Sequence, residues 1–296
     1  METGTGGPRI GLVLGAGGAR GLAQIGVIEV VEARGLRIAA IAGTSIGALV
    51  GGLHAAGKLT AYRDWMLGMD RSAMLRLLDP GWGRPSLFTG HRLVAALREV
   101  CGSPLIEDLA IDFTAVAVDL QRHREVWLRQ GDMWDAVRAS FAIPGLFTPH
   151  VVNGRALVDG GLLSPIPLTA MRMSDADTVI AVDLNGPPRA QEQQAATETD
   201  GGTSAPASRW WPLRRGHQEQ PAGAEKSARL GFIELMTGSL DTMQARIARV
   251  QLALDPPGVE VRIPRDASQF YEFWRAAELI ELGREEAARA LDAAGY

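Results

Sequence analysis

The chain has 296 residues, of which 46% are hydrophobic and 22% are charged, and its formal net charge is −4. This composition is ordinary for a globular protein, and an acidic chain lacks the basic surface of a nucleic-acid binder, so no nucleic-acid partner is expected. Cys101 is the only cysteine, which excludes an internal disulfide bond. The first eight residues carry no basic segment and no long apolar run, so we expect no secretory signal and a cytoplasmic location.

The first predicted element is a buried strand over residues 10–14, followed by the glycine-rich turn Gly15–Gly21 and a helix over residues 22–34. Backbone amides in such a turn can form a nest for an anion. A dinucleotide-binding turn is the alternative, but that motif requires an acid at the end of the next strand. Here the next strand ends in Gly43-Thr44-Ser45 instead, which argues against a nucleotide site.

That second strand, predicted over residues 38–42, leads into the sequence Gly43-Thr44-Ser45-Ile46-Gly47 and then into a helix over residues 48–56. A G-x-S-x-G pattern between a strand and a helix is typical of a nucleophile elbow, in which a sharp turn exposes the serine hydroxyl. The positive end of the following helix favours an oxyanion nearby. The pattern indicates Ser45 as a candidate nucleophile.

Two other interpretations compete for this stretch. It also fits a buried helix of small residues or, between Arg37 and Lys58, a membrane span of twenty uncharged residues. A span requires about twenty predominantly apolar residues. This stretch contains five glycines together with Thr44, Ser45 and His54, so its hydrophobicity is modest and the elbow is favoured.

The remaining elements alternate between strands and helices. They are predicted in this order: helices and loops over 60–100, paired strands at 113–119 and 125–128, a short helix at 135–142, a strand at 178–184, a helix at 230–254, a strand at 259–263 and a helix at 270–294. This alternation predicts a three-layer α/β/α fold with a mostly parallel central sheet. The length allows one large domain or two small ones, and we expect a single domain over residues 1–296.

Residues 186–227 interrupt this pattern. The segment is rich in Pro, Gly, Gln, Ala, Ser and Thr and has almost no aliphatic residues, so it is predicted to be a flexible insertion. Trp210 and Trp211 lie among arginines within it, an arrangement that fits contact with an anionic membrane surface. A linker whose tryptophans fold back onto the domain is the simpler alternative.

A serine nucleophile needs a base. In a triad with the chain order Ser, acid, His, only His217 comes late enough, and it lies in the predicted insertion, a poor platform for an imidazole. A carboxylate acting directly as base is the remaining option. Asp159, followed by Gly160 and Gly161 after an apolar strand end, is a candidate, although an ordinary Asp-Gly turn explains the same sequence.

Taken together, the loop Gly15–Gly21, the motif Gly43–Gly47 and the late Asp159–Gly161 resemble the patatin-like phospholipase family. The segments Val137–Phe147 and Asp159–Pro167 resemble that family's sequence around its catalytic aspartate. The resemblance covers roughly residues 9–185 and is closest to short bacterial members.

The resemblance implies a Ser-Asp dyad with Ser45 as nucleophile and Asp159 as base, and oxyanion donors at the backbone N–H groups of Gly17 and Gly18. It gives Arg20 the role of structuring the loop, and Ala16 departs from the family because a glycine usually stands there. Further motif positions support these residues: Gly15, Gly21, Gly43, Gly47, Gly160 and Gly161.

The function implied by the resemblance is a serine lipid acyl hydrolase of the phospholipase A, lysophospholipase or carboxylesterase type. It would act through an acyl-enzyme on a lipid or acyl-ester substrate, with no metal and no cofactor. Residues 65–78 and 141–147 are candidates for lining an acyl pocket, or for ordinary core packing. An acyltransferase with the same dyad and a non-catalytic lipid-binding or regulatory module are the alternatives.

Overall fold

The computed structural model describes residues 7–81, 86–189 and 232–296. One mixed sheet runs through these ranges. Its strands are β1 (Arg9–Leu14), β2 (Arg37–Thr44), β3 (Asp112–Asp119), β4 (Arg124–Leu128), β5 (His150–Val152), β6 (Arg155–Asp159), β7 (Thr178–Gly186) and β8 (Val259–Pro264). The strand order is β5-β6-β3-β2-β1-β7-β8, and β4 pairs with β3.

Helices connect and cover these strands. They are α1 (Ala23–Ala33), α2 (Ile46–Ala55), α3 (Leu59–Leu67), α4 (Arg71–Leu77), α5 (His91–Cys101), α6 (Met133–Ser140), α7 (Leu168–Met171), α8 (Phe232–Leu254) and α9 (Ala276–Ala294). Short 3-10 turns occupy Gly18–Leu22 and Gly160–Leu162.

Both faces of the sheet are buried under helices. Along β1, Leu12 and Leu14 pack into the core beneath α1, α2 and α9, whereas the intervening Val13 packs into a second core beneath α7 and α8. Side chains of a strand point alternately to opposite faces, so a strand covered on both sides reads as a continuous apolar run. The predicted three-layer α/β/α fold is confirmed.

The centre of the sheet is parallel, as expected. β3, β2, β1, β7 and β8 pair in parallel in that order, whereas the pairings of β3 with β4 and β6, and of β5 with β6, are antiparallel. The carboxyl ends of parallel strands lie at one edge of the sheet, where ligands of open α/β sheets bind. The glycine-rich turn after β1 and Ser45 after β2 therefore share that edge.

The register around β3 shows how a late segment of the chain reaches this edge. β2 pairs with Asp112–Val116, β6 pairs with Ala117–Asp119, and β4 pairs with Ala115–Asp119 and so overlaps both. Because a strand has only two edges, β2 and β6 share one edge of β3, and β4 occupies the other. β6 is antiparallel to β3, so the carboxyl ends of β2 and β6 meet.

The stretch between Arg37 and Lys58 is β2 followed by α2, as the favoured interpretation predicts, and not one span. In the described ranges no helix is both long and apolar enough to cross a membrane. Two expected element boundaries are corrected. Gly186 ends β7, so the predicted insertion does not begin at 186, and nearly all of it, with Trp210 and Trp211, lies outside the described residues. The last helix begins at Ala276, after a 3-10 turn, and not near 270.

Candidate active site

Ser45 occupies a strained turn between β2 and α2. Its backbone dihedrals are φ 56° and ψ −120°, a region that costs a non-glycine residue energy and that persists only where the surrounding fold enforces it. The turn brings α2 against β1 so closely that a Cβ on Gly47 would lie 2.1 Å from the carbonyl oxygen of Leu14. A side chain at position 47 would therefore push the helix away from the strand.

The structure brings Ser45 and Asp159 together, although they lie 114 residues apart. Ser45 Oγ donates a hydrogen bond of 2.6 Å to Asp159 Oδ2, and the N–H of Gly161 donates one of 2.6 Å to Asp159 Oδ1. Gly160 lies tight against β3, since a Cβ there would come within 2.2 Å of the Val116 carbonyl oxygen. The meeting of the ends of β2 and β6 thus fixes the carboxylate beside the hydroxyl.

Burial sets the acidity of this carboxyl group. Asp159 is 2% exposed, and desolvation raises its pKa from the ordinary 3.8 to about 6, against the opposing effect of hydrogen bonds from Ser45 and Gly161. A carboxylate with a raised pKa is a stronger proton acceptor than an exposed aspartate. It is still ionised at neutral pH, so it can serve as a base.

The glycine-rich turn offers free backbone donors beside this pair. The amides on either side of Gly17 and Gly18 are used by the fold: Gly15, Ala16 and Ala19 donate to the carbonyl oxygens of Val182, Pro165 and Phe270. Within the described ranges, the N–H groups of Gly17 and Gly18 have no protein acceptor. They therefore remain available to an oxyanion.

Arg20 ties this turn to α8. Its side chain is 3% exposed, its Nη2 lies 3.1 Å from Asp241 Oδ1, and its Nη1 donates to the carbonyl oxygen of Arg265 at 3.2 Å.

Close packing also surrounds three further motif glycines. A Cβ on Gly21, Gly43 or Gly161 would lie within 2.4 Å of Ile46, the Gly47 carbonyl oxygen or Gln244 Nε2, respectively.

Ser45 and Asp159 face a narrow cleft with walls from the turn after β1, the segments after α6 and β6, and α8. It is lined by Ala16, Gly17, Ser45, Ile143, Pro144, Asp159, Leu162, Thr237, Leu240, Asp241, Gln244 and Phe270. Of the two predicted acyl-pocket segments, 141–147 contributes Ile143 and Pro144, whereas none of these lining residues comes from 65–78. No histidine of the described chain lines the cleft.

The sequence alone assigns α8 no part in the site, but the structure does. Thr237, Asp241 and Gln244 line the cleft from a single helical face, because residues four and three apart lie together on a helix. Polar residues at that spacing, on the face that also carries Ala245 and Ala248 into the core, were the available signal.

The chain matches a family model and several known proteins. The family model described as patatin-like phospholipase matches residues 12–172. An uncharacterized NTE family protein of Mycobacterium tuberculosis is 36% identical, with 98% of this chain and 93% of that protein covered. VipD from Legionella pneumophila, a solved structure, is 13% identical with a TM-score of 0.45, covering 97% of this chain and 67% of that one.

Fungal relatives are much longer than this chain. Lysophospholipase NTE1 of Saccharomyces cerevisiae is 30% identical, with 94% of this chain but 16% of that protein covered. Lysophospholipase NTE1 of Phaeosphaeria nodorum is 31% identical, with 94% and 18% covered. The chain thus spans less than a fifth of the length of each of these two proteins.

Proposed function

Since the chain belongs to the patatin-like phospholipase family, we propose that it hydrolyses a carboxylic ester of a lipid, with Ser45 as nucleophile and Asp159 as base. The observation that carries the proposal is the 2.6 Å hydrogen bond from Ser45 Oγ to Asp159 Oδ2, inside a cleft that Gly17 also lines.

In the first step, Asp159 Oδ2 accepts the proton of Ser45 as Ser45 Oγ attacks the ester carbonyl carbon. The carbonyl oxygen becomes an oxyanion, and the N–H groups of Gly17 and Gly18 stabilise it. One preorganised donor of this kind accounts for roughly 10²–10³ in rate in other hydrolases. As the ester bond breaks, Asp159 returns the proton to the leaving alcohol, and an acyl-Ser45 remains.

In the second step, Asp159 accepts a proton from water, and the resulting hydroxide adds to the acyl carbonyl. The same two amides hold the second oxyanion. The acyl–oxygen bond then breaks, Ser45 Oγ takes the proton back from Asp159, and a free fatty acid leaves. Both half-reactions use one carboxylate as acceptor and donor, so the pair needs no third residue.

A lysophospholipid is the substrate class we propose to test first. Relatives that align with nearly all of this chain are named lysophospholipase. The walls of the cleft also divide by polarity: Ile143, Leu162 and Leu240 are apolar, whereas α8 contributes Thr237 and Asp241. An amphipathic lipid with one acyl chain fits that division.

We further propose that the whole chain is one domain in which residues 187–227 are an insertion between β7 and α8. A transient contact of Trp210, Trp211 and the neighbouring arginines with a membrane surface belongs to the same proposal. The proposed catalytic and oxyanion groups all lie outside that segment.

The test is release of fatty acid from micellar lysophosphatidylcholine by the full-length protein, followed by mass spectrometry. We expect turnover in the wild type and a loss of about 10³-fold or more in Ser45→Ala and in Asp159→Asn, because the dyad acts as a unit. Ser174→Ala is the matched control, since Ser174 Oγ donates only to the Met171 carbonyl oxygen, away from the cleft.

Two results would contradict the proposal. Turnover that persists in a folded Ser45→Ala variant would remove Ser45 from the mechanism. Transfer of the acyl group to an added alcohol, without release of fatty acid, would replace the hydrolase by an acyltransferase with the same dyad.

A further inference from the structure

The buried hydroxyl of Ser140 is bonded to the backbone of Ser45. Ser140 is the last residue of α6 and is fully buried. Its Oγ accepts a 2.8 Å hydrogen bond from the N–H of Ser45 and donates a 2.6 Å hydrogen bond to the carbonyl oxygen of Val116. A hydroxyl can donate and accept at once, and here a single one does both.

The N–H of Ser45 depends on this acceptor. Ser45 directly precedes α2, so its N–H has no partner within the helix, and the residue is 4% exposed, which keeps water away. A buried N–H without a partner is unfavourable. The bond to Ser140 therefore supports the strained backbone conformation that presents Ser45 Oγ.

The same segment also holds the other member of the pair. Two residues after Ser140, the carbonyl oxygen of Ala142 accepts a 3.0 Å hydrogen bond from the N–H of Asp159. Residues 140–142 therefore accept hydrogen bonds from the backbone N–H groups of both Ser45 and Asp159. One short segment thus sets where the two side chains stand relative to each other.

α6 is itself firmly anchored. At its start, the Asp132 side chain accepts a hydrogen bond from the N–H of Asp135 at 3.0 Å. The indole of Trp134 donates to the Gly102 carbonyl oxygen at 2.6 Å, and Arg138 donates to the Thr148 carbonyl oxygen at 2.9 Å. These contacts hold α6 in place, so Ser140 at its end has a fixed position relative to the strained turn at Ser45.

We propose that Ser140 is a positioning residue that fixes Ser45 against Asp159 by holding the N–H of Ser45. The proposal rests on the proposed function of that pair. Ser140 does not line the cleft, so it acts through the backbone of Ser45 and does not touch substrate. Its loss should therefore lower kcat and leave KM unchanged.

The test measures the rate of fluorophosphonate labelling of Ser45, together with kcat and KM for a soluble short-chain ester. In Ser140→Ala we expect the labelling rate and kcat to fall by about 10- to 100-fold, because small misplacements of reacting groups have effects of this size. KM should stay within about twofold, since the cleft keeps its lining.

Trp134→Phe is the matched control. It removes a hydrogen bond from the same helix to a backbone carbonyl but none to Ser45 or Asp159. We expect it to lower Tm as Ser140→Ala does, while the folded protein is labelled at the wild-type rate. Ser140→Cys gives a second variant, because a thiol donates and accepts more weakly than a hydroxyl. We expect an intermediate labelling rate.

The outcomes separate the two proposals. If wild-type Ser45 is not labelled, the proposed function fails irrespective of Ser140. If the wild type is labelled and folded Ser140→Ala is labelled equally fast, the positioning role is overturned. If Ser140→Ala does not fold, Ser140→Cys decides: slower labelling supports the role, and wild-type labelling overturns it.

Discussion

At the scale of single residues, the acidity of Asp159 is the property with the widest consequences. Its carboxyl group is buried next to a hydroxyl and a backbone amide, and desolvation raises its pKa to about 6. Because its pKa is raised, ionised Asp159 is a better acceptor for the Ser45 proton. For the same reason, ionisation of Asp159 lowers the stability of the folded state. Activity and stability should therefore respond to pH in opposite directions.

The first prediction concerns activity. Protonated Asp159 cannot accept the Ser45 proton, so kcat/KM should fall about tenfold per pH unit below a pH of about 6. Asp183→Asn is a matched control, because burial raises the pKa of Asp183 to about 6 as well, but this carboxylate accepts from the Asn185 N–H and lies outside the cleft lining. We expect the control to keep the wild-type profile. A profile that is flat between about pH 5 and 8 would contradict the role of Asp159 as base.

The second prediction concerns stability. The pKa of Asp159 is higher in the folded state than the ordinary 3.8, so the folded protein binds the proton more tightly. The resulting stabilisation is complete below a pH of about 4 and is lost as pH rises through about 6. Asparagine does not ionise, so Asp159→Asn should be more stable than the wild type at pH 8, by on the order of 3 kcal/mol.

Denaturant unfolding at two pH values tests this directly. The stability difference between Asp159→Asn and the wild type should shrink between about pH 8 and pH 4. A variant that is less stable than the wild type at pH 8, or a difference that is equal at both values, would show that burial does not destabilise the ionised carboxylate.

At the scale of secondary-structure elements, α8 and the turn after β1 are held together at the wall of the cleft. The contact is the ion pair between Arg20, whose side chain is 3% exposed, and Asp241, whose side chain is 30% exposed. Because Arg20 lies just after Gly17 and Gly18, the pair also restrains the proposed oxyanion donors. α8 is thus a wall of the site as well as a layer of the fold.

The third prediction follows from this contact. Asp241→Ala leaves the buried guanidinium of Arg20 without its carboxylate, and we expect a loss of about 2 kcal/mol in the free energy of unfolding, below the full value for a buried pair because Asp241 is partly exposed. Ester hydrolysis should also slow, because the turn loses a restraint. Urea unfolding and a short-chain ester assay measure the two effects.

The matched control lies at the other end of the same helix. Asp255 follows α8 and pairs with Arg172 at 3.0 Å, but here the arginine side chain is 63% exposed, whereas that of Arg20 is 3% exposed. Surface pairs of this kind contribute about 0–1 kcal/mol, so Asp255→Ala should change little. Equal losses in the two variants would contradict a special role for the contact between Arg20 and Asp241.

At the scale of the whole molecule, the sequence predicts the local elements well and the long-range contacts poorly. The apolar runs of β1, β2, β3 and β7 were expected within one or two residues, because a strand buried on both faces has a continuous apolar sequence. The sequence also singles out Ser45, since the elbow motif is local.

Other parts of the site depend on tertiary pairing. The position of β6 beyond the end of β2 follows from the register on β3, which no local pattern specifies. The hydrogen bond from Ser45 to Ser140 and the cleft wall formed by α8 also join segments that lie far apart in the chain, so no local pattern specifies them. The role of Asp159 was implied by family resemblance, because the Asp-Gly sequence alone fits an ordinary turn.

The central claim is that Asp159 activates Ser45, and covalent labelling tests it most directly. Purified full-length protein would be treated with a fluorophosphonate probe, and the modified peptide would be mapped by mass spectrometry. The account predicts labelling of Ser45 in the wild type and a loss of labelling in folded Asp159→Asn. Equal labelling of Ser45 in both proteins, or labelling of another residue while Ser45 stays unmodified, would contradict it.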